Sequence, residues 1–238
     1  MNLILLFPED FQSDTCATLE GRRFRHVLDV HKAEVGAQLR VGRMDGKVGV
    51  GRVLSISERS LELEVTLDEQ PPRPLPVTLI LGLPRPRMLK RTLQTISAMG
   101  VKDLYLINSY RVEKSFWQTP VLSPEGIHEH LVLGLEQAVD TSMPKVHLRK
   151  LFKPFVEDEL PGIAAGTRGI VAHPYQAAKL PSASHEATTL AVGPEGGFID
   201  YEVAKLQESG LQSAHLGPRI LRVENVVPVL LARLFPVI

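Results

Sequence analysis

The stretch Pro71-Pro72-Arg73-Pro74-Leu75-Pro76, running into Val77-Thr78-Leu79-Ile80-Leu81-Gly82-Leu83, divides the chain and decides how its larger part folds. Four prolines in six residues favour extended polyproline geometry and cannot pair as a central strand, so 71–76 reads as a semi-rigid connector. The near-continuous apolar run after it marks a strand covered on both faces. Next, 87–99 carries Leu89, Leu93 and Ile96 at helical spacing, with Gly100 as C-terminal cap. Residues 101–108 read as a strand, and Ser123-Pro124-Glu125 opens another helix with a cap, a proline at the first helical position and an early acid. Two more buried strands are expected at 168–173 and 188–192. Strand and helix alternating in this way predict a mostly parallel α/β domain over 77–238.

Before the connector the runs are short, β-prone and punctuated by glycine: 38–41, 48–50, 52–56 and 61–67. The last alternates apolar and polar residues strictly, the period of a half-buried strand. Met44-Asp45-Gly46-Lys47 supplies a hairpin turn. Residues 1–70 therefore suggest a small β-barrel. Met1-Asn2-Leu3-Ile4-Leu5-Leu6-Phe7 is apolar but lacks a basic flank and meets Pro8-Glu9-Asp10 at once, which fits a buried first strand better than a signal peptide.

Composition narrows the class. Of 238 residues, 27 are Lys or Arg and 27 are Asp or Glu, a formal net charge of zero that excludes a histone-like polycation. A hydrophobic fraction of 44% with 23% charged residues describes a globular protein, not a disordered one. The single cysteine, Cys16, cannot form an internal disulfide, and no apolar run approaches the roughly 18 residues of a membrane span. A cytosolic protein without membrane contact is expected.

Two stretches carry the chemistry. The first is Leu190-Ala191-Val192-Gly193-Pro194-Glu195-Gly196-Gly197-Phe198, followed by Ile199-Asp200-Tyr201-Glu202: a buried strand, a glycine-rich loop, then a helix to about 209 capped by Asp200. Ligands of open α/β sheets sit at the carboxyl ends of strands, and glycines there let a ligand lie on bare backbone. Neither phosphate-loop template is matched. Taken alone, the loop also fits a tight strand-to-helix turn. The second is His215-Leu216-Gly217-Pro218-Arg219-Ile220-Leu221-Arg222-Val223-Glu224-Asn225, a loop between a strand at 211–216 and the last helix. Asn225 is its expected N-cap, which would put Pro228 in the first turn. An exposed salt-bridged turn is the plainer alternative.

Together the two loops resemble the RsmE-type ribosomal RNA methyltransferases of the SPOUT class, and His173-Pro174 and Glu136-Gln137 match the same pattern. The resemblance spans nearly the whole chain. It implies a PUA-like β-barrel over 1–70 that binds RNA and a SPOUT domain over 77–238 with a C-terminal trefoil knot, a topology that general rules make rare. It further implies S-adenosylmethionine as cofactor, N3 of a uridine in small-subunit (16S) ribosomal RNA as target, and a homodimer. Carried over, the donor pocket comprises His173, Val192, Gly193, Pro194, Glu195, Gly196, Gly197, Leu216, Gly217, Ile220 and Leu221. Arg222 and Glu224 are the catalytic candidates, as stabiliser of the uracil anion and as base or positioning group. Glu224 is also placed to cap the last helix.

The family pattern departs at Asp29 and Asp140, where cations are usual, and at Val223 and Asn225, where threonines are. These keep open a non-catalytic RNA-binding or ribosome-assembly relative, and a methyltransferase of another RNA position.

RNA contact needs local positive charge. Nine basic and twelve acidic residues in 1–70 give −3, which leaves 18 basic and 15 acidic, or +3, for the rest. The candidate contacts are Arg22, Arg23 and Arg25, with His26 beside them, and Arg85, Arg87, Lys90 and Arg91. Such clusters are also what a solvated surface looks like. His128 and His130 point to different faces of a helix and no histidine pairs with a cysteine, so no metal site is expected. No G-x-S-x-G elbow occurs. Phe116 and Trp117 could stack on a base, although packing explains them as well.

Overall fold

The computed structural model describes residues 2–236. Met1, with which the expected opening strand began, and 237–238, at the end of the expected second domain, lie outside the described residues. The chain forms two compact units: Met1–Arg73 with Val132–Met143, and Pro74–Leu131 with Pro144–Ile238. The sequence reading kept 132–143 inside the second domain.

The first unit contains β1 (Ile4–Leu6), β2 (Phe11–Ser13), β3 (Cys16–Glu20), α1 (Gly21–His26), β4 (Gln38–Arg43), β5 (Val48–Ile56) and β6 (Ser60–Glu69). They form one six-stranded sheet in the order β1-β4-β5-β6-β3-β2, in which β1–β4 is parallel and the other pairs are antiparallel. β6 buries Leu61, Leu63 and Val65 and exposes Glu62, Glu64 and Thr66, the alternation its sequence dictates. β5 runs unbroken through Gly51 and so joins two expected strands. Asp45 adopts φ 55° in the turn between β4 and β5.

The period of two in the opening strand explains why 132–143 belongs here. Ile4 and Leu6 pack with Leu19, Val41 and Leu63 in one core, whereas Leu3 and Leu5 pack with Val48, Val132 and Leu135 in another. Arg22 Nη2 donates to both carboxylate oxygens of Glu136, at 3.0 and 2.9 Å. Glu136 is 1% exposed. Burial pushes its carboxyl above the usual range, and the Arg22 charge only partly offsets this. Arg23 is similarly committed: its guanidinium donates to Leu5 O at 2.7 Å and Asp10 Oδ1 at 2.8 Å, over the Phe7 ring. Both arginines hold the first unit together, whatever else they touch. Arg22→Ala should therefore lower the unfolding free energy by about 2 kcal/mol, since it strands a buried carboxylate. Glu136→Gln, which keeps the shape and removes the charge, should cost less; urea denaturation of the two variants checks the order.

The second unit contains β7 (Val77–Gly82), α2 (Pro86–Ala98), β8 (Asp103–Ile107), α3 (Pro124–Ala138), β9 (Lys145–Arg149), α4 (Phe152–Pro154), α5 (Leu160–Ala164), β10 (Arg168–Ala172), β11 (Ala178–Lys179), β12 (Thr188–Val192), α6 (Asp200–Glu208), β13 (Gln212–His215) and α7 (Val223–Leu234). The part of α3 beyond Leu131 belongs to the first unit. Seven strands form one sheet in the order β11-β13-β10-β12-β7-β8-β9, and every pair is parallel. The apolar strands bury Ile80, Ile107, Val171 and Ala191 against Phe155, Leu160, Val203 and Leu206. α2 stops as expected: Gly100 takes φ 81°, its N–H donates to Ser97 O at 3.2 Å, and Val101 N–H donates to Ile96 O at 3.0 Å.

Two helix starts differ from expectation. α6 begins at Asp200 with Ile199 as N-cap, and its third residue, Glu202, takes up the Ile199 N–H at 3.0 Å. α7 begins at Val223, not after Asn225. Arg222 O accepts the first helical bonds, from Asn225 N at 2.9 Å and Val226 N at 2.8 Å, with no side-chain cap. Burial of Val223 draws the helix start inward, which leaves Pro228 inside the helix. No helix among the described residues is long and apolar enough to cross a membrane.

Candidate functional site

The register of the parallel sheet builds the site. Ala172 pairs with both Val192 and Ala214, and Val192 pairs with Leu81, so β10, β12, β13 and β7 end at one level. The loops that leave β10, β12 and β13 line a cavity of about 610 Å³, within the usual range for small-molecule sites. β10 lies between two strands that follow it in the chain, so the cavity sits where strand order reverses, the place at which open α/β sheets bind ligands.

All eleven donor-pocket residues expected from the sequence line this cavity: His173, Val192, Gly193, Pro194, Glu195, Gly196, Gly197, Leu216, Gly217, Ile220 and Leu221. The glycine loop is held tightly. Gly197 N–H donates to Pro194 O at 2.7 Å, and Gly197 takes φ 72°. A Cβ on Gly193 would lie 2.8 Å from Phe198 N and 3.0 Å from the Gly197 backbone, so no side chain fits. Glu195 Oε1 accepts Arg85 N–H at 2.9 Å, which ties the loop to the start of α2. In the opposite wall Gly217 takes φ 119°, and its N–H donates to His215 Nδ1 at 3.0 Å.

His173 follows β10, and its N–H donates to Ala214 O at 3.0 Å. Burial holds its imidazole below the ordinary histidine range, with Asp200 pulling the other way, so it is neutral at physiological pH. Asp200 and Glu195 are the carboxylates of the lining, and Arg111 and Arg219 its guanidinium groups.

Arg222 and Glu224 do not line the cavity; their neighbours Leu221 and Val223 do. Arg222 is exposed, and Glu224 is half-buried in the first turn of α7, where the helix N-terminus favours a carboxylate. Of the basic candidates, Arg85, Arg87, Lys90 and Arg91 are all exposed on the first half of α2 or at its cap. Arg22 and Arg25 are exposed and Arg23 is half-buried; Arg22 and Arg23 are also paired with Glu136 and Asp10. Asp140 is buried and accepts Ser142 N–H at 2.9 Å, so this departure serves the fold of its own segment; Asp29 is exposed. Trp117 donates to Asn108 Oδ1 at 3.0 Å. Among the described residues no group of three His, Cys, Asp or Glu side chains could hold a metal ion.

Sequence reasoning missed Arg111, Tyr175 and Leu230 in the lining, and the buried Glu202 behind it. Glu202 Oε1 also accepts Tyr110 N–H at 2.7 Å, which fixes the loop after β8 beside the glycine loop. Only the acid's place in the first turn of α6 was legible, not its partner in β8's loop.

A parallel α/β domain with a small-molecule cavity at its strand ends, beside an exposed basic helix, has the parts that an enzyme acting on nucleic acid needs. The chain belongs to the RNA methyltransferase domain family, whose model matches residues 71–234. It is 28% identical over 229 residues to ribosomal RNA small subunit methyltransferase E of Treponema pallidum, covering 93% of this chain and 86% of the relative. The Synechocystis protein of the same name is 26% identical over 245 residues, covering 97% and 76%. In fold the chain is similar to ribosomal RNA small subunit methyltransferase E from Neisseria gonorrhoeae, solved bound to S-adenosyl methionine, with TM-score 0.77 and 23% identity over 98% of this chain and 95% of that one.

The packing of the loop is testable. β7 ends at Gly82, where a Cβ would lie 2.5 Å from Pro194 Cδ and 2.7 Å from Pro194 N. Gly82→Ala must displace the glycine loop and should cost about 1–3 kcal/mol. Thermal unfolding should register this as a loss of several degrees, at roughly 2–4 °C per kcal/mol for a chain of this size.

Proposed function

We propose that this protein is an S-adenosylmethionine-dependent methyltransferase that acts on N3 of a uridine in 16S ribosomal RNA, in the cytoplasm and as a homodimer. The observation that carries the reading is the convergence of 193–197 and 216–221 on one cavity at the carboxyl ends of β10, β12 and β13. The names of the relatives support small-subunit ribosomal RNA as the substrate, the Neisseria complex supports the donor, and N3 of a uridine is what the resemblance of the two loops implies.

The lining suits that donor. Bare backbone at Gly193, Gly196, Gly197 and Gly217 lets an adenine lie close to the main chain, beside the apolar side chains of Val192, Leu216, Ile220 and Leu221. Glu195 and Asp200 offer negative charge to the donor's sulfonium, and Arg219 offers positive charge to its carboxylate. When bound, S-adenosylmethionine supplies an electrophilic methyl group on a sulfonium. The walls orient it for in-line displacement, in which positioning supplies much of the rate. Uracil N3 must lose its proton before or during attack. Arg222 is assigned to stabilise the developing anion and Glu224 to take the proton or position the base. Their place on the rim, between cavity-lining Leu221 and Val223 or just beyond, suits groups that meet the RNA rather than the donor.

The exposed Arg85, Arg87, Lys90 and Arg91, with Arg22, Arg23 and Arg25 of the first unit, are the RNA contacts of this reading. The domains are a PUA-like barrel over 1–70 and a SPOUT domain over 77–238 with a trefoil knot. The crossing from β12 to β13 past β10, and the bond from Ser184 N–H to Leu234 O at 2.9 Å, support the knot. Tyr175, Ile220 and Leu221, exposed on the cavity rim, support a second copy covering them.

Calorimetry should show micromolar S-adenosylmethionine binding that Gly196→Arg abolishes, and nucleoside analysis of 16S ribosomal RNA from a deletion strain should show loss of one N3-methyluridine. An unchanged nucleoside profile would overturn the assigned target. Arg222→Ala and Glu224→Gln should each slow single-turnover methylation by about 10²-fold. The lowered pKa of His173 sets a pH dependence with a definite sign. Donor affinity should be level above neutrality and fall as the pH drops below the ordinary histidine value, because a protonated imidazole repels the sulfonium. A His173→Asn variant should flatten that profile.

A further inference from the structure

Arg111, in the loop after β8, is a guanidinium of the lining bonded to the glycine loop. Its Nη1–H donates to Gly196 O. A Cβ on Gly196 would come within 2.8 Å of Arg111 Cδ and 3.1 Å of Arg111 Cβ, so the stem of the arginine fills the space a side chain at 196 would need. Gly196 is not among the glycines with positive φ. Its lack of a side chain answers to this contact and not to the backbone.

The loop that carries Arg111 is itself anchored. The preceding Tyr110 N–H donates to Glu202 Oε1 at 2.7 Å, and Glu202 Oε2 accepts Ile199 N–H at 3.0 Å. Glu202 is 3% exposed, so water competes little for either bond. Two successive residues, 110 and 111, thus grip the far and near parts of the loop that walls the cavity.

We infer that Arg111 is a positioning residue for the methyl donor: it holds the Gly196 carbonyl, and with it the glycine wall, in the shape that accepts the ligand. The inference rests on the proposed S-adenosylmethionine site and deepens it. Arg111 is exposed, and an exposed arginine in an RNA enzyme has an obvious competing role as a phosphate contact. The two roles separate cleanly, because a phosphate contact leaves donor affinity without RNA untouched.

The test is calorimetric binding of S-adenosylmethionine, without RNA, to the full-length wild type and to Arg111→Ala, Arg111→Lys, Gly196→Ala and the Arg111→Ala/Gly196→Ala double variant, with Tm of each unliganded protein. Arg111→Ala should weaken binding about tenfold, the worth of a charge-assisted hydrogen bond, with Tm unchanged. Arg111→Lys should recover part of the loss, since an ammonium can still donate to the carbonyl. Gly196→Ala should weaken binding in the wild-type background and do so less once the Arg111 stem is gone, a coupling that independent sites would not show. Wild-type affinity in Arg111→Ala overturns the inference and leaves the phosphate role; so does a fall in Tm that accounts for the lost affinity. Failure of the wild type itself to bind the donor is a separate result, which overturns the functional reading on which the inference stands.

Discussion

The level at which four parallel strands end governs everything at the candidate site. β10 is paired on one side to β12 and on the other to β13, with Ala172 opposite both Val192 and Ala214. In a parallel ladder a slip of one residue reverses every side chain, and here both faces are buried, so packing punishes the slip twice. With that register held, His173, Gly193 and the 216–221 loop leave the sheet together, and three segments far apart in sequence share one cavity. The glycines then have two causes: Gly82 and Gly193 lie where backbone meets backbone, whereas Gly197 and Gly217 take a positive φ.

Charge is handled differently in each unit. The first buries Asp10 and Glu136 against arginines, and the buried carboxyl of Glu136 is pushed up despite its partner. A pair of this kind contributes more to a unique arrangement than to stability. The second buries Glu202 against backbone N–H groups instead, which costs no side-chain ordering in the partner. A cation count along the sequence cannot see this difference, which is why the pairing of Arg22 with Glu136 and of Arg23 with Asp10 was not legible there.

The larger unit was the more legible one. Buried parallel strands announce themselves as unbroken apolar runs, and the loops after β12 and β13 announce themselves by glycine, because bare backbone admits no other residue. The first unit gave up its hairpin and long antiparallel strands, yet β2 and β3, of three and five residues, carry too little pattern to read. The segment from 152 to 164 was passed over because Pro154, Pro161 and Gly162 break its helical signature, and the structure spends five residues there on π-helical turns. The start of α7 was misjudged because it has no capping side chain. Arg111 and Glu202 were invisible for a simpler reason: their partners lie 85 and 92 residues away.

The place of β12 has a consequence for how the chain is made. β12 separates β7 from β10 in the sheet, yet it is synthesised more than a hundred residues after β7. Until residue 192 has left the ribosome, the native partner available to β7 is β8, and its other edge stays open with its backbone N–H and C=O groups unpaired. Contacts this distant in sequence make folding slow and leave a nascent chain open to association with others like it. An enzyme whose relatives are named for methylating ribosomal RNA thus cannot close its own central sheet until most of it has been translated.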